Sequence, residues 1–336
     1  TIRLEGACDV LRDHCRVDLL AKVIPVDYDH GARCPTFDAF LEEVQPDPDI
    51  RLFLHTWCGY CLTGLTTEQK LVFHYGGGSN GKSVFVDATA KIMGPYAVSL
   101  PFSSLLRDDR KRGADATPDL ARLPGARMVR ASEPEKGSRF AEATIKSITG
   151  GEEVTVRKLR HDFFDFVPQF KLQLSGNHKP LIRGQDHGIW RRFLLIPWEV
   201  TIPDERQDKA LPRKLWEERS GVLNWMLDGA RVWLEKGLVV PEAVRAKTEE
   251  YKAESDPLGR FILDCVERAP GENVQAQEMY EAYCAWCRPN SERPWTMTTF
   301  GKAMPERGFE KSEGRIRVYR DVRLVNVPQG SRAPPP

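Results

Sequence analysis

Leu71-Val72-Phe73-His74-Tyr75-Gly76-Gly77-Gly78-Ser79-Asn80-Gly81-Lys82-Ser83 is the stretch of this sequence that decides the fold. Leu71 to Tyr75 reads as a short buried strand, and Val84 to Met93 continues as a helix. The glycine loop between them ends in a lysine and a hydroxyl, the spacing of a phosphate-binding loop. Glycine accepts dihedrals that a Cβ resists, so successive backbone N–H groups can turn inward and form a nest for anions. Gly76, Gly77, Gly78, Ser79, Asn80 and Gly81 are the expected cradle. Lys82 is expected to reach the β and γ phosphates, and the Ser83 hydroxyl to ligate Mg²⁺, at the positive end of the helix. The implied ligands are a nucleoside triphosphate and Mg²⁺.

Working outward, short apolar strands alternate with helices from Leu71 to about Val200, which predicts an α/β layer with a mainly parallel sheet. Such a sheet presents ligand-binding groups at the carboxyl ends of its strands. Arg127-Met128-Val129-Arg130-Ala131-Ser132 runs into Glu133-Pro134-Glu135. Glu133 is the candidate metal-linked base that polarises an attacking water, with Glu135 assisting. Taken alone, the same residues also read as surface acids in a loop. Phe170 to Ser175 is an alternating strand that leads to Asn177, whose amide can bond both a γ phosphate and a water. Gly188-Ile189-Trp190-Arg191-Arg192-Phe193 places two guanidinium groups before the apolar strand Leu194 to Pro197. By itself that pair reads equally as a salt-bridged strand start.

Composition sets the outer limits. The chain has 336 residues, 49 Lys+Arg against 48 Asp+Glu, 41% hydrophobic and 29% charged residues, the profile of a globular protein of two or three domains. A net charge of +1 excludes nucleic-acid binding by bulk positive potential and leaves only a local patch. One such patch lies in Val154 to Phe164, two β stretches around a tip carrying Arg157, Lys158, Arg160 and His161, each able to grip a phosphate. Out of context it reads as a solvated hairpin whose charges deter edge pairing. No apolar run reaches the roughly 18 residues of a membrane span. Eight cysteines are too few for a disulfide scaffold and point to reduced thiols in a cytoplasm. Cys58/Cys61 and Cys284/Cys287 have metal-like spacing but lie in helix-patterned stretches, against a zinc site. Asp27-Tyr28-Asp29-His30 reads as a solvated loop. The chain starts at Thr1 with no basic flank or apolar signal core, and is expected to be a fragment of something longer.

Five regions are expected: a small helical domain at 1–65, the phosphate-loop core at 66–203, a helical lid or connector at 204–255, a winged-helix-like module at 256–327, and a disordered tail at 328–336. The amphipathic pattern Leu223, Met226, Leu227, Ala230, Trp233 marks the lid. Lys302, Arg307, Lys311, Arg315 and Arg317 near the expected wing form a second basic cluster that suits a nucleic-acid contact or a protein-docking surface.

The phosphate loop, the strand ending in Glu133, the strand ending in Asn177 and Arg191-Arg192, in that order, resemble the superfamily 3 helicases, AAA+ motors of viruses and mobile elements. The nearer similarity is to the C-terminal helicase half of phage and plasmid primase-helicases, with poxvirus primase-helicases more distant. It is carried also by Asp119 to Arg127, Ile145 to Gly151, and Ser255 to Arg260. The resemblance implies an ATP-dependent helicase translocating on single-stranded DNA during replication, working as a homo-hexameric ring. It gives Asn177 the role of polar sensor and makes Arg191 or Arg192 a finger supplied to the neighbour's ATP. It places the basic hairpin in a central channel, and a primase-polymerase domain commonly precedes the motor. Two other readings stay open: a DNA-remodelling ATPase that does not unwind, and a nucleotide-gated DNA-binding or loading scaffold.

Overall fold

The computed structural model describes residues 1–5, 8–107, 117–182, 187–312 and 316–328. The strands are β1 (Ile2–Glu5), β2 (Cys8–Leu11), β3 (Leu71–Tyr75), β4 (Ala97–Ser99), β5 (Met128–Ser132), β6 (Val154–Arg157), β7 (Phe163–Phe166), β8 (Lys171–Gly176), β9 (Phe193–Pro197), β10 (Val266–Gln275) and β11 (Val318–Leu324). The helices are α1 (Pro35–Val44), α2 (Pro48–Leu62), α3 (Lys82–Met93), α4 (Glu142–Thr149), α5 (His187–Trp190), α6 (Leu211–Glu217), α7 (Arg219–Lys236), α8 (Glu242–Glu254), α9 (Pro257–Cys265), α10 (Ala276–Cys287) and α11 (Met297–Glu306).

Five strands form one wholly parallel sheet in the order β4-β5-β8-β3-β9. Both faces are covered, so β8 and β9 are buried along their whole length; β9 shows the near-continuous apolar run that a two-sided sheet favours, whereas β8 alternates and buries Lys171, Gln173 and Ser175 on one side. The order positions the site. β3 lies between β8 and β9, with Leu71 level with Leu172 and Phe193, and Tyr75 level with Gly176 and Pro197. The glycine loop after Tyr75, Asn177 after β8, and Trp198 after β9 therefore emerge side by side at the carboxyl edge. Glu133 emerges one strand further along, where Ser132 of β5 is level with Ser175.

Helices cover the sheet. Asp47 caps α2 by accepting from the N–H groups of Asp49 and Ile50, and Pro48 opens its first turn. α2 packs backbone to backbone on α7: a Cβ on Gly59 would lie 2.0 Å from the Ala230 nitrogen, and one on Gly229 2.1 Å from the His55 carbonyl oxygen. Segments 1–65 and 204–250, distant in sequence, share one core with α3, β3 and β9 through Trp57, Phe85, Trp198 and Met226. The chain divides into two compact units, Thr1–Glu250 and Tyr251–Pro336. In the second, β10 and β11 pair antiparallel beside α9, α10 and α11 around Phe261, Tyr283, Phe300 and Tyr319.

The β1–β2 pair and strand β10 escape the sequence pattern. The β1–β2 hairpin lies in a region whose periodicity predicts only helices, because four-residue strands are too short for alternation to register. β10 contains Pro270 and Gly271, its register with β11 shifts between Arg268 and Asn273, and its partner lies some fifty residues downstream. Arg315 and residues 329–336 of the expected tail lie outside the described residues.

Candidate nucleotide site

The loop after β3 adopts the positive-φ backbone that its glycines permit, with φ of 108° at Gly78, 49° at Ser79 and 78° at Gly81. It is stapled to the segment that follows β9. The Trp198 N–H donates to the Tyr75 carbonyl at 2.8 Å, Asn80 Nδ2 to the Trp198 carbonyl at 3.1 Å, and the Ile202 N–H to the Ser79 carbonyl at 2.7 Å. A Cβ at Gly76 would meet Asn80 Nδ2 at 2.2 Å and the Trp198 oxygen at 2.3 Å, so that staple admits only glycine there. The space beside Gly77 is open.

Lys82 opens α3 and is 3% exposed. Its ammonium donates to Asn177 Oδ1 at 2.6 Å, the Gly76 carbonyl at 3.1 Å and Asn80 Oδ1 at 3.5 Å. Burial lowers its pKa, and the negative charge of nearby Glu133 opposes that shift. Glu133 is exposed, sits at a left-handed φ of 61°, and is pinned by its N–H to the Ser175 carbonyl at 3.0 Å. The following Pro134 fills the space a Cβ on Gly176 would need, 2.5 Å from its Cδ. A non-glycine residue held in that conformation stores strain of about 1–3 kcal/mol, which the β5–β8 pairing sustains. Glu135 is exposed in the same loop, and Ser83 is exposed on the first turn of α3.

The fold thus gathers the loop, Lys82, Glu133 and Asn177. An ammonium, open loop amides and a helix N-terminus suit a polyphosphate, and Ser83 with Glu133 offers the hard oxygen donors that Mg²⁺ takes. When bound, ATP and Mg²⁺ would supply the scissile phosphoanhydride and neutralise its charge.

Sequence reasoning missed His74 and Trp198. Trp198 Nε1 donates to His74 Nδ1 at 3.0 Å, fully inside the core beneath the loop. A single histidine in an apolar strand was the signal. Burial, with the Lys82 charge second, pushes the His74 pKa down to about 3, so the neutral ring is the folded form. Unfolding returns it to about 6.5, so the unfolded chain binds the extra proton below that pH. Stability is therefore complete above pH 6.5 and is lost on acidification, by about 2 kcal/mol from this group between pH 6.5 and 5. His55, also lowered by burial, adds with the same sign. Denaturant titrations of wild type and His74→Phe should show a shallower pH slope in the variant; equal slopes would contradict the assignment.

The arginine pair lies elsewhere. Phe193 is level with Leu71, so Arg191 and Arg192 stand at the amino edge of the sheet, while the loop leaves the carboxyl edge at Tyr75. Five residues of strand separate the two edges by about 16 Å. Arg192 is 8% exposed and donates to the Gly188 carbonyl at 2.5 Å. Arg191 is exposed and donates to Gln69 Oε1 at 2.6 Å. This chain does not bring either guanidinium to its own loop.

β6 and β7 pair as a hairpin with Arg157 opposite Phe163. Arg157 is half-buried, its guanidinium 5.3 Å from the Phe163 ring centroid, and its backbone bonds Thr117. Lys158, Arg160 and His161 are exposed at the tip, with Leu159 66% exposed among them. Cys58 and Cys61 are buried on α2, where burial raises both thiol pKa values, that of Cys61 to about 12. Among the described residues no helix is long and apolar enough to cross a membrane.

No protein-family model matches the chain. It is similar to the provisionally named helicase L207/L206 of Acanthamoeba polyphaga mimivirus, with 28% identity over 305 residues, 84% of this chain and 32% of that protein. A provisionally named helicase of Frog virus 3, 022R, is 27% identical over 272 residues, covering 75% of this chain and 28% of the relative. A provisionally named primase of African swine fever virus, C962R, is 23% identical over 270 residues, covering 74% and 28%. The chain spans about a third or less of these relatives' length. In fold it is similar to the apo C-terminal region of NrS-1, with a TM-score of 0.53 at 14% identity over 89% of this chain and 77% of that one.

Proposed function

We propose that this chain, a relative of provisionally named helicases and primases of large DNA viruses, is an ATP-driven motor that translocates on single-stranded DNA and separates strands during replication. The observation that carries the reading is the bond from Lys82 Nζ to Asn177 Oδ1 at 2.6 Å, which joins the loop after β3 to the end of β8, with Glu133 close enough for its charge to act on Lys82. In this scheme the loop amides and Lys82 hold the phosphates, Ser83 and Glu133 hold the metal, Glu133 orients the attacking water, and Asn177 leaves Lys82 to bond the γ phosphate and that water. Glu135 supports Glu133 from the same loop.

Because the Arg191–Arg192 pair stands at the far edge of its own sheet, it serves the nucleotide of an adjacent subunit, and the working form is a ring, hexameric by resemblance. Of the two, exposed Arg191 is the finger, and buried Arg192 holds the Gly188 turn. The β6–β7 tip lies in the channel, residues 204–255 act as the lid or connector and residues 256–327 as a winged-helix-like module, and a primase-polymerase domain belongs to the same longer protein. The test is ATP hydrolysis with and without single-stranded DNA, paired with displacement of a forked duplex. Stimulated hydrolysis with displacement supports the proposal, stimulated hydrolysis alone identifies a remodelling ATPase, and binding without turnover identifies a scaffold.

The hairpin gives a separable expectation. Lys158→Ala leaves basal hydrolysis near wild type, abolishes displacement, and reduces the salt slope of single-strand binding by about 0.7. His161→Ala uncouples displacement in the same way. Wild-type displacement by both variants would remove the hairpin from the mechanism.

A further inference from the structure

Gln69 lies just before β3 at the amino edge of the sheet, beside Arg191, with its backbone held at a left-handed φ of 52°. We propose that Gln69 is the positioning residue for the finger: its carboxamide aims the Arg191 guanidinium at the neighbouring subunit's nucleotide and leaves its charge unneutralised. The inference rests on the reading of Arg191 as that finger.

Three observations support it. The first is a bridge. Gln69 Oε1 accepts from Arg191 Nη2 at 2.6 Å, while Gln69 Nε2 donates at 2.7 Å to the carbonyl of Gly150, at the C-terminal end of α4. A guanidinium only donates and a carbonyl only accepts, so the two together demand an uncharged group with an acceptor at one end and a donor at the other. The bond to Gly150 thereby fixes the amide with its oxygen toward Arg191. Charge comes second. Among the described residues the Arg191 side chain bonds this neutral amide and no carboxylate, and Glu68, next in sequence to Gln69, is turned to Trp233 Nε1 at 2.9 Å. Lys70, a second cation, donates to the Arg191 carbonyl; burial lowers its pKa, Glu68 opposes that shift and the Arg191 charge adds to it. An arginine so placed keeps its full charge for an incoming phosphate, whereas a carboxylate at position 69 would neutralise it. Third is the backbone. A left-handed φ is routine for glycine and strained for other residues. Gln69 is clamped there by its own N–H to the Thr66 carbonyl at 3.0 Å and by the Leu71 N–H to the Arg192 carbonyl at 2.7 Å. The backbone alone favours glycine, so the residue is explained by its carboxamide.

The experiment measures ATP affinity and ATP turnover of the intact chain in wild type, Gln69→Gly, Gln69→Glu and Arg191→Ala. Gln69→Gly suits the left-handed backbone and removes the carboxamide. Gln69→Glu keeps an acceptor for Arg191, but it neutralises the guanidinium and cannot donate to Gly150. Both variants at position 69 should bind ATP within about twofold of wild type and turn it over about 10- to 100-fold more slowly, the loss that a misplaced group acting only in the transition state produces. Mixing either with Lys82→Met subunits, whose fingers are intact, should restore turnover, a recovery that a merely misfolded protein would not show. Turnover near the wild-type rate in both while Arg191→Ala is slow, loss of ATP affinity in parallel with turnover, or no recovery on mixing would overturn the positioning role. An Arg191→Ala protein at full speed would instead overturn the finger reading, and this inference with it.

Discussion

Arg191→Ala should slow ATP turnover by about 10³- to 10⁵-fold, equivalent to roughly 4–7 kcal/mol of barrier, while leaving ATP affinity close to wild type. The split follows from position. Arg191 is at the amino edge of the sheet and touches Gln69, so its loss leaves the subunit's own loop, Lys82 and Asn177 unchanged. On the proposed shared-site reading, what disappears is a charge delivered to the next subunit's phosphates as they come under transfer. Complementation makes the prediction sharper. Arg191→Ala subunits retain an intact loop, and Lys82→Met subunits retain an intact finger. Mixing the two inactive proteins should restore turnover at every interface where the finger of one faces the loop of the other. A mixture as inactive as its components, or an Arg191→Ala protein at full speed, would sink the shared-site proposal. Arg192→Ala should behave differently, lowering stability by at least about 1–3 kcal/mol because it removes a buried charged donor from the Gly188 carbonyl.

Lys82→Met should weaken ATP binding by about 10²-fold or more, since charge-assisted hydrogen bonds contribute roughly 1.5–3 kcal/mol each and the ammonium would serve two phosphates. Methionine keeps the length and apolar stem of the side chain and removes the ammonium from a site that is 3% exposed. The Asn177 amide, the Gly76 carbonyl and Asn80 Oδ1 then lose their donor, but α3 still starts at the same residue and the Asn80–Trp198 staple remains. Titration with ATP checks the affinity, and far-UV circular dichroism checks that the fold persists. Asn177→Ala is the companion variant, with affinity retained and hydrolysis lost. Undiminished ATP binding by Lys82→Met would place the nucleotide elsewhere.

Much of the core's order of elements is legible in the sequence itself. Gly76 to Ser83 reads as a phosphate loop because few backbones other than a nest require that glycine spacing, and the strand and helix that its flanks announce are β3 and α3. Glu133 and Asn177 read as strand ends because Met128, Val129 and Ala131 in β5 and the alternating Leu172 and Leu174 in β8 mark short strands, and a parallel sheet directs such ends to one edge. The arginine pair was visible as a motif but not as a location. Only the level pairing of Phe193 with Leu71 separates it from the loop, and only burial distinguishes exposed Arg191 from buried Arg192.

Local composition decided the elements of the core and the chemistry at their ends, since periodicity and dihedral preference act over a few neighbouring residues. Strand order, the burial of Arg192, the His74–Trp198 contact beneath the loop and the Gln69 bridge from Arg191 to Gly150 belong to the tertiary structure alone. Each brings together groups separated by tens to more than a hundred residues. Their proximity is set by how the whole sheet buries its two faces, a sum over many weak contacts that no short window of sequence contains.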